Sequence, residues 1–482
     1  FILPIPNERL QNTSGNEWAA DLIVGRLLKN GGREMLNANV YALQAGLFPG
    51  AIGIPRENDL RFYTEQRQPR VPMQDVQHYR MTYKRDQRHE NGWFHFDLGW
   101  QWNDRRELSP PHAHGYIKSD PNDTEALAMS LHTLSFRLRE EMDANEAGLQ
   151  WEYGADASAQ FQKVDGFEYL VPAYQRYQAG AFGLLRWKPN KTSSYSLSLR
   201  ADGAYHESQE EFRQWFGAPD SMYMRSPHVE KRFFNVVYGF SWSHQIDELQ
   251  SAYAHIGRSF RFPVAAELAS NGVHHGTFRH ELGDPSINAE HGHQLDLGWS
   301  YRSDVLSLKL SGFAAYFNNF IYLSPSGRFS PLPDAGQIYR YRQDRVWTHG
   351  TELSVHYPFL QNWEWTGLLE YTYAQNLRSQ LPLPFIPPLL VRNKLEWSKA
   401  GWTASGEWVA AAAQFRTDRN EEETPAYQLI HLGLSKEWGD FLLGIALRNA
   451  LNTVYLNHLS RYRILNLPEQ GRNLIIRASY SF

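Results

Sequence analysis

The chain has 482 residues, a net charge of -4 and 21% charged residues, so no global basic field points to a nucleic-acid partner. It contains no cysteine, which excludes disulfides, thiol catalysis and Cys-ligated zinc or iron–sulfur centres. Aromatic residues reach 14%, with 16 Trp, 26 Tyr and 26 Phe, while no run of about 18 apolar residues offers a transmembrane helix.

Residues 1–16 read as the tail of a loop, and the first clear strand lies near 18–29. Asn30-Gly31-Gly32 makes a tight turn, and a long connection follows at 49–75. After the turn Arg88-His89-Glu90-Asn91, Phe94, Phe96, Leu98, Trp100 and Trp102 alternate with polar residues. The next long connection, 104–126, carries His112 and His114 after Pro110-Pro111, close to Arg105, Arg106 and Glu107. Pro189-Asn190-Lys191-Thr192 turns the chain into Tyr195, Leu197 and Leu199, again alternating with polar residues. Connection 206–229 holds His206, Glu210, Glu211, Trp215-Phe216 and Met222-Tyr223-Met224. After the turn Ile246-Asp247-Glu248, connection 261–289 contains His274, His275 and His280 among Glu281, Asp284 and Glu290. His291 and His293 share a strand face with Leu295 and Leu297, which argues against both lining a wet interior. Ser303-Asp304 turns into Leu306, Leu308 and Leu310, and a long connection at 321–337 precedes Tyr339-Arg340-Tyr341. A turn at Ala400-Gly401 and loops with Arg419, Glu421, Glu422 and Glu423 and at 450–469 lead to a last strand, 473–482. That strand sets Leu474, Ile476, Ala478, Tyr480 and Phe482 on one face.

Period two dominates, so each segment has one greasy and one wet face. The segments run to a dozen residues or more, near the length of a tilted membrane strand. Short connections alternate with long ones, the pattern of an outer-membrane barrel with short turns on one side and long external loops on the other. The expectation is therefore an all-β fold, a transmembrane antiparallel β-barrel of about 19 strands filling 1–482 as one domain. The parity of the turns expects further strands upstream, about 22 in a closed barrel, together with a plug in its lumen. Outer-membrane lipid of a Gram-negative bacterium is the expected surrounding.

The chain resembles the barrel of TonB-dependent outer-membrane receptors. The matching stretches include Ala45-Gly-Leu-Phe-Pro-Gly-Ala-Ile-Gly-Ile-Pro55, Arg258-Ser-Phe-Arg-Phe-Pro263, Ser270-Asn-Gly-Val-His-His-Gly-Thr-Phe-Arg279, Gly350-Thr-Glu352, Leu383-Pro-Phe-Ile-Pro-Pro388 and Asn449-Ala-Leu-Asn-Thr-Val-Tyr455. The Asn-Gly-Val-His-His-Gly-Thr-Phe-Arg stretch resembles iron-complex, haem or zinc receptors. The resemblance implies energy-coupled import of siderophore-iron, haem or zinc, with no resident cofactor and with coupling to the TonB complex through an N-terminal region. The family's coupling box and plug are not in these residues. A passive porin and a surface-binding barrel are the alternatives.

His274, His275 and His280 are candidate metal ligands, because neutral imidazole suits zinc, copper or haem iron. Glu281, His112, His114, Tyr339 and Tyr341 join them as candidate ligand contacts. The competing reading is that these histidines hydrogen-bond inside a folded loop. Tyr339 and Tyr341 either stack on a planar ligand or belong to an interfacial belt. The loop carboxylates are either solvated or contact a cation. No G-x-S-x-G, phosphate-cradling glycine loop or H-E-x-x-H is present, so no enzyme is expected.

Overall fold

Alternation gives a strand two unlike faces, and the cross-strand register shows where each face goes. The computed structural model describes residues 12–29, 31–47, 68–109, 123–215, 218–274, 279–332, 335–461, 463 and 466–481. In chain order the elements begin with β1 (Gly15–Leu27), β2 (Arg33–Gly46), β3 (Met73–His89), β4 (Gly92–Leu108), β5 (Glu125–Met142) and β6 (Leu149–Asp165). Next come β7 (Tyr174–Trp187), β8 (Ser193–Ser208), β9 (Glu211–Trp215), β10 (Ala218–Ser226), β11 (Val229–Gln245) and β12 (Gln250–Arg261). A short helix α1 (Ala265–Ala269) precedes β13 (Asn271–His274), β14 (Arg279–Leu282), β15 (Glu290–Arg302), β16 (Ser307–Phe329), β17 (Gln337–Leu360) and β18 (Trp363–Asn376). The last five are β19 (Leu390–Lys399), β20 (Trp402–Ala411), β21 (Tyr427–Trp438), β22 (Phe441–Arg448) and β23 (Asn473–Tyr480).

With β9, β10, β13 and β14 set aside, nineteen strands form one wall, each antiparallel to the next in chain order. The wall is the expected all-β transmembrane barrel. Its connections alternate short and long along the chain, as between β3 and β4 (90–91), β4 and β5 (109–124), and β5 and β6 (143–148). Several expected boundaries move, and the expected connection 206–229 itself holds β9 and β10. Residues 321–337 are mostly strand, because β16 continues to Phe329 and β17 begins at Gln337. Register shifts between Phe317 and Phe320 and between Pro325 and Phe329 break the period there, which hid the strand from pattern reading. Likewise β4 runs on to Leu108, past the expected start of its loop.

One face is charged. Lys84, Asp97, Arg137 and Asp156 are successive cross-strand neighbours on β3, β4, β5 and β6. Arg200 donates to Asp156 at 2.8 Å and to Asp202 at 2.5 Å. The other face is apolar and exposed: Leu98, Leu134, Leu199, Ile256, Leu297, Leu434 and Ile476 all stand open rather than in a core. A soluble sandwich would bury that face against a second sheet; here it meets lipid.

Aromatic rings mark both edges of the greasy band. Along one row Tyr79 stacks on Trp102 at 5.2 Å, Trp102 on His132 at 5.8 Å, and Phe161, Tyr177 and Tyr205 follow. Along the other, Trp187 meets Tyr195 at 5.4 Å and Tyr195 meets Phe240 at 6.5 Å. Ten positions separate the rows on β6 (Trp151 to Phe161), on β7 (Tyr177 to Trp187) and on β8 (Tyr195 to Tyr205). At about 3.3 Å per residue and a tilt near 45°, ten residues span roughly 23 Å, the height of an outer-membrane apolar band.

Among the described residues no ladder joins β1 to β23. All thirteen residues of β1 are exposed.

Candidate ligand-binding site

The described parts of several long connections fold onto one another at one end of the wall. The core of this assembly is the 262–289 segment. Glu267 organises its start: the Val264 amide donates to a Glu267 carboxylate oxygen at 2.9 Å, and Arg261 donates to both oxygens at 2.8 Å. This turns the chain into α1, whose Leu268 packs with Val229, Ala269, Ile287 and Ile321, and with Tyr341 at the edge. Three cations then fasten the segment through backbone carbonyls. Arg176 donates to the Pro263 carbonyl at 2.9 Å, Lys231 to that of Ile287 at 2.7 Å, and Arg225 to that of Asn271 at 2.6 Å. A charged donor makes a stronger bond than a neutral one, so few contacts hold a long loop. Gly272 lets the segment lie against the 166–173 connection; a Cβ there would sit 1.6 Å from the Tyr169 carbonyl oxygen.

The candidate residues divide into two groups. His112, His114 and His275 lie outside the described residues, and His274 is placed by its backbone in β13. His280, Glu281, Tyr339 and Tyr341 come together, because β14 lies parallel to β17 with Glu281 opposite Tyr339. They form an interior. His280 is 5% exposed, its Nε2 lies 2.8 Å from Asn271 Oδ1, and its Nδ1 lies 2.8 Å from Ser330 Oγ. Burial, with Arg225 nearby, holds its pKa down to about 4, so the ring is neutral at pH 7. Glu281 accepts from Arg279 at 2.7 Å and from the Tyr341 hydroxyl at 3.1 Å. The Arg279 guanidinium lies over the Tyr339 ring at 5.3 Å. Among the described residues no three His, Asp or Glu side chains are grouped as metal ligands. The expectation that Glu421 belongs to a solvated or cation-binding run gives way to a buried ion pair with Arg463, beside His458 at 3.5 Å.

Two adjoining cavities open beside this interior, of about 590 and 420 Å³, sharing Arg342, Asp344 and Arg378. The larger is bounded by Arg340 and by the chain at 282–285, the smaller by Tyr322, Ser324, Asp418 and Arg419. Both volumes are in the range of small-molecule sites. Asp344 accepts from the Tyr322 hydroxyl at 2.9 Å and from Asn376 at 3.1 Å. Asp418 accepts from Ser324 at 2.7 Å, and burial pushes its pKa up. Sequence reading did not single out Arg342 or Arg378, named Arg340 only within an aromatic stretch, and placed Arg419 in a loop charge run. The only signal was Tyr339-Arg340-Tyr341 running on to Arg342, where alternation sets the arginines opposite the tyrosines.

A nineteen-strand wall with a lipid-facing belt and described connections packed together at one end defines a large outer-membrane-type β-barrel. The chain belongs to the TonB-dependent receptor family: the family model described as "TonB dependent receptor-like, beta-barrel" matches residues 24–457. Among solved structures it is similar to the copper transporter OprC, at 18% identity and a TM-score of 0.78 over 97% of this chain and 72% of that one. It is also similar to the ferric yersiniabactin uptake receptor FyuA from Yersinia pestis, at 11% identity and a TM-score of 0.67 over 97% of this chain and 71% of that one. A double mutant of the Serratia marcescens hemophore receptor HasR, in complex with its hemophore HasA and heme, aligns at 14% identity and a TM-score of 0.70 over 97% of this chain and 71% of that one. At these identities the likeness shows the fold. A search of curated proteins found no match.

Proposed function

We propose that the chain is the barrel part of a ligand-gated importer in the outer membrane of a Gram-negative bacterium. It carries a metal-linked nutrient, siderophore-iron or haem ahead of zinc, and draws energy from the TonB complex through an N-terminal region and plug. The observation that carries this reading is the packed loop end. An open pore needs no assembly of loops held by Arg176, Lys231 and Arg225 over a pair of cavities, whereas a receptor for a scarce ligand does. The relatives named above bind or carry copper, ferric yersiniabactin and haem, which supports a metal-linked cargo. The edges of β1 and β23, unpaired among the described residues, support the expectation of additional strands, since backbone groups in lipid need partners.

The test is uptake in cells. Deleting the gene should abolish TonB-dependent import of one radiolabelled metal source from a panel of ferric siderophores, haem and zinc, and complementation should restore it. Steady conductance of the full-length gene product in planar bilayers, with uptake of every metal source unchanged, would replace the importer with a passive pore.

A further inference from the structure

We propose that the outer wall over β12 and β15–β18 holds the phosphate head group of an outer-leaflet lipid, on a row of outward cations at the loop-side edge of the greasy band. The proposal rests on the outer-membrane placement above and concerns the lipid-facing side of the wall.

Register sets the outward face of these strands. Arg258 lies opposite His293, His293 opposite Tyr316, Tyr316 opposite Trp347, and His349 opposite Tyr373. His291 and His293 alternate in step with exposed Leu295 and Leu297, so they look outward. Arg345 is exposed, two positions before Trp347 on the same face. Ten positions separate His291 from Tyr301, Trp347 from Tyr357, and Tyr373 from Trp363. That is the interval between the ring rows, so the imidazole and guanidinium groups stand where head groups meet hydrocarbon.

The hydrogen bonds at this level leave donors to spare. Arg258 donates to the Val236 carbonyl and to His291 Nδ1, each at 3.1 Å. The Trp347 indole donates to His349 Nδ1 at 3.1 Å. With Nδ1 accepting, both imidazoles carry their proton on Nε2 as a donor. Arg416 donates to the Tyr371 hydroxyl at 2.7 Å and lies over the Tyr371 and Tyr373 rings at 5.0 and 5.4 Å. Ring contact steadies the guanidinium without using up its fork of N–H donors.

The protein supplies these cations with no anion among the described residues. The outward positions of β12, β15 and β18, of β16 up to Tyr316 and of β17 from Arg345 hold no Asp or Glu. The acids nearest in sequence turn to the loop assembly: Glu290 to Arg261 and the Ile321 amide, Asp344 to Tyr322 and Asn376, and Asp418 to Ser324. No described carboxylate lies within 4 Å of Arg258, Arg345 or Arg416. On β4 and β11, by contrast, the outward cations are already paired. Arg106 meets Asp104 at 3.1 Å and Glu125 at 3.3 Å, and Arg232 meets Glu230 at 3.4 Å. Cations that face a bilayer without a protein partner find their anion in the bilayer, and a head-group phosphate fits the guanidinium fork. Beside hydrocarbon the low dielectric makes such a pair stronger than it would be in water.

The experiment uses the full-length gene product, delipidated in detergent, with lipid adducts counted by native mass spectrometry. The probes are a diphosphorylated glucosamine lipid, the same lipid with its phosphates removed, and excess inorganic phosphate as competitor. The diphosphorylated lipid should be retained about tenfold or more tightly than the dephosphorylated one, the effect of charged hydrogen bonds. Inorganic phosphate should not displace it, because it brings no acyl chains to the greasy band. Arg258→Gln with Arg416→Gln should weaken retention by about tenfold or more. R345Q, at an exposed position, should weaken it in the same direction even if the double variant misfolds. R232Q, on β11, should bind as the parent does. Equal retention of the dephosphorylated lipid, unchanged binding by the first two variants, a like loss in R232Q, or displacement by inorganic phosphate overturns the inference and leaves the importer reading to its own uptake test. A gene product that fractionates away from the outer membrane removes the placement, and the inference with it.

Discussion

His280 has both ring nitrogens occupied, by Asn271 and Ser330, and its burial, with Arg225 nearby, disfavours the charged ring. Its folded pKa of about 4 lies below the usual value near 6.5. The sign follows directly: the loop assembly keeps its full stability above about pH 6.5 and loses it as the pH falls towards 4, where the unfolded segment takes up the proton first. The difference amounts to something on the order of 3 kcal/mol. Limited proteolysis or hydrogen exchange of the 262–289 segment should therefore show loosening between pH 7 and pH 4.5. His280→Gln, which keeps a donor and an acceptor, should flatten that dependence. An unchanged pH profile in the glutamine variant would show that another group drives the loosening.

The strands obey a simpler rule than the loops, and alternation alone identifies their faces. Leu199 stands 58% exposed near the middle of β8, between the ring rows at Tyr195 and Tyr205, while its neighbour Ser198 points to the other face. Leu199→Arg should cost about 2–4 kcal/mol in lipid vesicles, and Ser198→Arg within about 1 kcal/mol, measured by denaturant unfolding. Equal costs would mean the faces are assigned the wrong way round. This two-faced order is why the wall was legible in the sequence: Leu306, Leu308 and Leu310 declare their face through nearest neighbours only. The loop end was not legible, because its contacts join distant positions. Glu281 meets Tyr339 across a parallel pairing, and Glu421 meets Arg463 between two separate connections. The histidines around 274–280 were visible as a cluster, but nothing local says that His280 turns inward to Asn271. The cavity arginines were hidden for the opposite reason. Each is one exposed charge among many, and only its place beside the cavities sets it apart.

At the scale of the molecule, the wall presents two edges, β1 and β23, that have no partner strand among the described residues. Open edges recruit other strands, and lipid offers no substitute hydrogen bonds. The 482-residue chain refolded by itself should therefore associate at rising concentration and lack the heat-shifted gel mobility of a closed barrel. The full-length gene product should be monomeric and heat-shifted. A monomeric, heat-shifted 482-residue chain would mean that the nineteen strands close on themselves. The interval of ten positions between ring rows carries a separate consequence. It acts as a gauge of bilayer thickness: in a membrane with a hydrocarbon core of roughly 30 Å, a belt about 23 Å tall would leave about 7 Å of mismatch, at fractions of a kcal/mol for each ångström. A thinner membrane removes that strain. The spacing of Tyr177 from Trp187 thus biases where in the cell envelope the barrel can settle, before any receptor reads a targeting signal.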